Sequence, residues 1–245
     1  MPAWIQPFIP DPALAAALAP LSLLYAWAAA RWAGHLRVRR EVRAPYTRKI
    51  FHFTIFTAAS VIQAVFGVAG TVVFGSVVAL VVLHAVWRRD GYPFYEALAR
   101  PTDAPHRTLF ILIPLLTTAL GGVLANILTG QFALVGYLVG GWGDAVGEPV
   151  GTRWGKHRYK VPSLAGVPAT RSLEGSAAVL LVGAAAAFLG LTLGLGVAAG
   201  TAAWVALACG AAGAAVEAFS SHGLDNLTVQ VTGAVVAWWL LSGAV

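Results

Sequence analysis

Long apolar runs separated by short polar breaks dominate the chain. A bilayer core takes about 20 apolar residues as a helix, and about 17 suffice. On that measure the pattern predicts eight spans: Ala13 to Trp32, Ile50 to Phe66, Ala69 to Trp87, Thr108 to Leu124, Gln131 to Val146, Gly175 to Leu193, Leu195 to Phe219 and Leu227 to Leu241. Helices are the expected state, because lipid offers no partner to an unpaired backbone group. The expected fold is an all-α, polytopic membrane domain covering residues 1–245, with both termini outside.

Composition agrees. The 245 residues are 58% hydrophobic and only 11% charged, too little charge for a soluble domain. The basic residues set the orientation. Arg31, Arg37, Arg39, Arg40, Arg43, Arg48 and Lys49 lie between spans one and two; Arg88, Arg89, Arg100 and Arg107 between three and four; Arg153, Lys156, Arg158, Lys160 and Arg171 between five and six. All 16 therefore fall on one side, which the positive-inside rule makes cytoplasmic. Nine of the ten acids share that side, with Asp11 outside. Acids carry little topological weight, so a metal or nucleotide site on the inner face is the expected cause. The net charge of +6 suits anionic headgroups or a phosphate ligand, not nucleic acid. No basic region precedes the first apolar run, so a cleaved signal peptide is not expected. The lone Cys209 excludes an intramolecular disulfide and a cysteine metal cluster.

Candidate chemistry gathers between Gly140 and Ser176, where three acids, Asp144, Glu148 and Glu174, accompany five bases. Asp144 and Glu148 are one helical turn apart and would repel unless a cation sat between them. Magnesium is the natural candidate. Gly147, Gly151 and Gly155 give close approach to a ligand or to a neighbouring helix, and the bases suit anionic oxygens. Together these are parts of a phosphoryl-transfer site. A Walker loop is excluded, because His157 follows Gly155-Lys156 and Val150 stands at the first glycine position. Span five is short and glycine-rich, as spans lining a binding site often are.

Two further clusters join it. Arg48, Lys49 and His52 stand at the predicted start of span two, where a helix N-terminus favours anions. Glu217, His222, Asp225 and Asn226 lie between spans seven and eight; they offer oxygen ligands, with Asp225 also suited to cap the last helix. The segment Arg88 to Arg107 reads as a connection along the membrane surface.

Taken together, these clusters resemble the polyprenol kinase family: dolichol kinases and, more closely, phytol and farnesol kinases. An Arg-Lys-x-x-His pattern is matched by Arg48, Lys49 and His52, and a Gly-Asp segment with spaced glycines by Gly143, Asp144, Gly151 and Gly155. A Lys-Ser-x-Glu-Gly segment is matched by Arg171, Ser172, Glu174 and Gly175, and a late Glu…Asp-Asn-Leu-Thr-Val segment by Glu217 and Asp225 to Val229. The chain departs from the pattern in having Arg171 for lysine, the extra acid Glu148, and Leu224 where a second aspartate is common.

The resemblance implies a kinase that transfers the terminal phosphoryl group of CTP to an isoprenoid alcohol such as phytol, farnesol, geranylgeraniol or a polyprenol, at the cytoplasmic face of the inner membrane. Asp144 would hold Mg2+ with Glu148, and Glu217 would be a further metal ligand. Arg48, Lys49, His52, Arg153, Lys156, Arg171 and Asn226 would bind the nucleotide, with Ser172 and Glu174 shaping its site. Asp225 would orient or deprotonate the alcohol. CDP-diacylglycerol synthases share the middle segment, but their Pro-Gly-His-Gly-Gly run is absent. A CDP-lipid synthase is thus the alternative, and a non-enzymatic transporter a further one.

Overall fold

The computed structural model describes residues 4–221 and 223–242. It is 81% helical and all-α in class, with one small hairpin. The helices are α1 (Pro12–Arg39), α2 (Ala44–Arg88), α3 (Pro93–Leu98), α4 (Leu109–Thr129), α5 (Ala133–Leu138), α6 (Asp144–Trp154), α7 (Leu173–Leu189), α8 (Ala199–Phe219) and α9 (Asp225–Ser242). Strands β1 (Arg158–Leu164) and β2 (Val167–Ser172) pair between α6 and α7.

Five stretches are long and apolar enough to cross a membrane: Pro12–Arg39, Ala44–Arg88, Leu109–Trp154, Leu173–Gly194 and Ala199–Phe219. They fit an integral membrane protein. The number differs from the eight predicted spans because two of the five are merged. Ala44–Arg88 covers Ile50 to Phe66 and Ala69 to Trp87, and Leu109–Trp154 covers nearly all of Thr108 to Leu124 and Gln131 to Val146. Inside α2 the helix breaks at Gly67, whose φ of 63° and ψ of −162° belong to a region open essentially only to glycine. The remaining stretch, α9, is outside the five because Asp225, Asn226 and Gln230 dilute its apolar residues.

The chain forms two compact units, Met1–Ile111 and Leu112–Val245. In the first, the Asp11 carboxylate caps α1 by accepting from the Ala13 and Leu14 N–H groups at 2.8 and 3.4 Å. Gly34 lets α1 meet α3 closely, since a Cβ there would stand 3.0 Å from Pro93. Thr47 of α2 donates to the Ala97 carbonyl at 2.8 Å, and Phe51 meets Phe94 edge to face.

The connection from Arg88 to Arg107 is more ordered than its composition suggested. Arg107 reaches Asp90 at 2.6 Å, Glu96 at 2.8 Å and the Ala99 carbonyl at 3.2 Å. Arg100 and Asp103 form a buried pair at 2.9 Å. Burial alone would raise the Glu96 carboxyl, but the Gly91 N–H and the Arg107 guanidinium outweigh it and hold the group below the ordinary carboxylate range. A depressed folded-state value contributes stability that is present above the unfolded pKa and lost as pH falls through the folded one. Hydrogen exchange of peptides spanning 88–107 is therefore expected to accelerate on acidification beyond its intrinsic pH dependence, and Glu96→Gln is expected to remove that excess.

Candidate functional site

The second unit holds most of the candidate chemistry. Its spine is the continuous helical path through α5, a π-helical segment Val139–Gly143, and α6. The glycines predicted from their spacing are contacts with neighbouring helices. A Cβ on Gly147 would stand 2.8 Å from Val179 of α7, and one on Gly151 or Gly155 3.0 or 2.7 Å from the Ser172 hydroxyl at the start of α7. Protein atoms thus occupy the approach these glycines provide, as in packed membrane helices.

Asp144 opens α6 immediately after the π segment and is almost fully buried, while Glu148, one turn on, is half-buried. Because the helical path runs on through it, Asp144 sits within a helix and not at a free helix end, where a buried carboxylate is costly unless a cation offsets it. The carboxylate of Glu217, near the C-terminal end of α8, reaches the same helix: a Cβ on Gly147 would lie 3.6 Å from Glu217 Oε1. Glu217 thus packs against the turn of α6 that follows Asp144.

The hairpin delivers the counter-charge. It turns at Ala165-Gly166, both with positive φ (49° and 73°), which is the backbone of a two-residue type I′ turn. Between the pairs Val161↔Ala169 and Leu164↔Val167, β1 carries one residue more than β2, and Pro162 falls in that bulge. Alternation along β2 puts Arg171 on the same face as the buried Ala169. There the Arg171 guanidinium pairs through Nη1 with Glu217 Oε1, and donates through Nη2 to Asp225 Oδ2 and the Ser220 carbonyl, both at 3.0 Å.

Asp225 opens α9, and its second oxygen accepts from the Gly223 and Asn226 N–H groups at 3.1 and 3.0 Å. Asp225 thus stands within the first turn of α9 and not at its N-cap as expected; the N–H groups of Leu227 and Thr228 are taken by the Leu224 carbonyl instead. The Asn226 amide donates to Thr118 Oγ1 at 2.9 Å and to the Pro114 carbonyl at 3.3 Å, while Thr117 donates to the Gly223 carbonyl. The α8–α9 turn is thereby tied to α4. His222, named with this cluster, lies outside the described residues.

The predicted residues therefore divide. The structure brings Arg171, Glu217, Asp225 and Asn226 into one buried network, with Gly147 of α6 against it. Ser172 caps α7 by accepting from the Gly175 N–H at 3.1 Å, and a Cβ on Gly151 would meet its hydroxyl. Glu174 faces His157, which donates its N–H at 3.3 Å and shares a 2.7 Å contact through Nδ1. Arg153 and Lys156 are exposed, with Arg153 stacked 5.2 Å over the Trp154 ring. Arg48, Lys49 and His52 belong to the first unit. There α2 begins at Ala44, so they sit beyond its first turn; Lys49 is buried and His52 stacks on Phe56.

Sequence reasoning missed four contributors: His157, Thr118, Gln230 and Tyr159, whose hydroxyl meets that of Ser176 at 2.7 Å. The 17-residue separation shared by the His157–Glu174 and Tyr159–Ser176 pairs is a hairpin signal that could have found two of them. Gln230, fully buried, donates to the Thr118 carbonyl at 3.0 Å. A polar side chain inside an apolar helix is its own signal.

Among the described residues, no group of three or more His, Cys, Asp or Glu side chains is placed to hold a metal ion. Magnesium is ordinarily held by one or two carboxylates together with substrate phosphates and water, so the pair Asp144 and Glu148 offers the right donor chemistry for it. Two buried atoms of the ion-pair network, Arg171 Nε and Glu217 Oε2, have no hydrogen-bond partner among the described residues.

No protein-family model and no solved structure matches the chain. A phytol kinase from Synechocystis is 40% identical over 113 residues. That match covers 44% of this chain and 43% of the relative, so the similarity spans less than half of either protein. It supports kinship with the polyprenol and phytol kinase-like family that the sequence motifs resemble.

Proposed function

We propose that this chain is a membrane-embedded lipid kinase that uses CTP and magnesium to phosphorylate the hydroxyl of an isoprenoid alcohol at the cytoplasmic face. The observation that carries this reading is the 40% identity over 113 residues to a phytol kinase. The buried acidic network gives it a chemical rationale. Carboxylates gathered at the ends of apolar helices are costly unless cations offset them, and a metal-bound triphosphate supplies such a charge.

In this reading Asp144 and Glu148 hold magnesium, which when bound neutralises charge on the triphosphate oxygens. Exposed Arg153 and Lys156 attract the triphosphate, and Ser172 and Glu174 keep the hairpin base in place beside it. Arg48, Lys49 and His52 of the first unit retain the anion-binding role their motif implies. The reaction needs positioning and charge neutralisation more than a covalent intermediate, so no nucleophilic side chain is required.

The test is to incubate the detergent-solubilised protein with magnesium, terminally labelled CTP and a panel of phytol, farnesol, geranylgeraniol and undecaprenol, then extract the lipid. Label in the organic phase is the expected result. Release of pyrophosphate on addition of phosphatidate, with no labelled lipid, would instead make the protein a CDP-lipid synthase.

A further inference from the structure

Toward their C-terminal ends α1 and α2 share a cluster that the reaction does not use. Tyr25 meets Phe74, Trp27 meets His84, and a Cβ on Gly34 would touch Pro93, in that order along the chain, so α1 and the part of α2 after Gly67 run in the same direction. Three rings converge on His84: Trp27 and Trp87 at 5.8 Å and Tyr92 at 5.6 Å between centroids. Arg31 stands one helical turn beyond Trp27, and Arg88 one turn beyond His84 with its guanidinium 5.2 Å over the Tyr92 ring. Both arginines are exposed, and neither forms an ion pair among the described residues.

The same two helix faces turn apolar in the opposite direction. Leu23 and Leu80, one turn before Trp27 and His84, are exposed. Along the helices the notch therefore passes from leucine through aromatic rings to arginine, which is the order of environments in a phospholipid from acyl chain to phosphate. Tryptophan and tyrosine singly would be ordinary interfacial anchors. Rings that close on an imidazole, with an unpaired guanidinium on each helix one turn further on, make a place for a headgroup.

We propose that this notch binds the phosphate headgroup of one anionic glycerophospholipid from the surrounding bilayer, with Arg31, His84 and Arg88 as its ligands. The anionic oxygens of a phosphodiester only accept hydrogen bonds, and the two guanidinium groups and the imidazole N–H donate them. Basic pockets between membrane helices recognise anionic headgroups in this way. The acids that follow Arg88 in the chain do not compete, because Asp90 and Glu96 are held by Arg107 and Asp103 by Arg100. A zwitterionic headgroup would bring its own ammonium group to these cations, which disfavours it. The notch belongs to the first unit and includes none of the residues assigned to phosphoryl transfer, so it stands or falls independently of the kinase reading.

The experiment titrates the delipidated, full-length protein in detergent with phosphatidylglycerol and with phosphatidylcholine, and counts bound lipid by native mass spectrometry. One phosphatidylglycerol is expected to bind at least about tenfold more tightly than phosphatidylcholine, as two bases beside one phosphate imply. Arg31→Gln together with Arg88→Gln is expected to abolish that preference. Arg39→Gln together with Arg40→Gln removes the same charge from exposed positions further along α1 and its end, and is expected to leave the preference intact. Equal binding of the two lipids by the wild-type protein would overturn the proposal without reliance on any variant. A preference that survives the first pair of changes, or is lost with the second, would overturn it as well, because the notch would then not be what selects the lipid. Farnesyl phosphate displacing phosphatidylglycerol at lower concentration would make the notch a site for an isoprenoid monophosphate and likewise exclude a bilayer lipid as its occupant.

Discussion

Replacing Asp144 with asparagine is expected to abolish phosphoryl transfer, by on the order of 10³-fold, while the protein remains folded in detergent. The Asp144→Asn change keeps the size of the side chain and removes only its charge. The fold is expected to tolerate it, because a neutral amide is less costly to bury than a carboxylate. The cost to the reaction is larger, because a carboxylate that holds a metal on the triphosphate acts where charge is redistributed. Turnover of labelled CTP onto farnesol, followed beside the thermal unfolding midpoint, separates the two effects. Retained turnover would remove Asp144 from the mechanism.

The second large effect is structural. Arg171→Met is expected to destabilise the second unit by about 3 to 5 kcal/mol, the usual consequence of breaking a buried ion pair from one side. Arg171 pairs with one oxygen of Glu217 and one of Asp225, and both carboxylates are nearly inaccessible. Without it they would face each other as like charges in a poorly solvated place. The variant carrying Arg171→Met, Glu217→Gln and Asp225→Asn together is expected to regain much of the lost stability. Thermal unfolding in detergent of the single and the triple variant checks both statements. A single variant as stable as the wild type would mean that the ion pairs contribute nothing to the fold.

Much of the helical architecture was legible in the sequence because apolar runs report burial in lipid or protein directly. Gly67-Val68 was read as a connection from its place between two such runs, and the backbone does break at Gly67. The hairpin was not legible. Its type I′ turn has Ala165 where asparagine, aspartate or glycine would have announced a left-handed residue, and the bulge at Pro162 interrupts the alternation that marks a strand.

The chemistry divided along the same line. Asp144, Glu217 and Asp225 were conspicuous because carboxylates are rare in this chain. The partner of Asp225 was not, because Arg171 is 54 residues away and comes into reach only once β2 folds against α8 and α9. Among five bases in one basic stretch, no spacing rule tells the one that turns toward the acids from those that remain at the surface. Strand alternation does tell them apart, but only after the strand has been recognised.

The π-helical segment Val139–Gly143 bears on the site through register. A π turn contains one residue more than the α turn it replaces. Each residue of an α-helix advances the azimuth by about 100°, so that one residue fixes which way everything after it faces relative to α5. A single-codon deletion here would leave composition, hydropathy and every motif of the chain almost unchanged. It would nevertheless swing the Asp144 carboxylate off its buried face toward a different neighbour. The aim of the acidic cluster is thus held by chain length over five residues whose side chains contribute no charge of their own, and comparison of this region across homologues should count residues before it compares them.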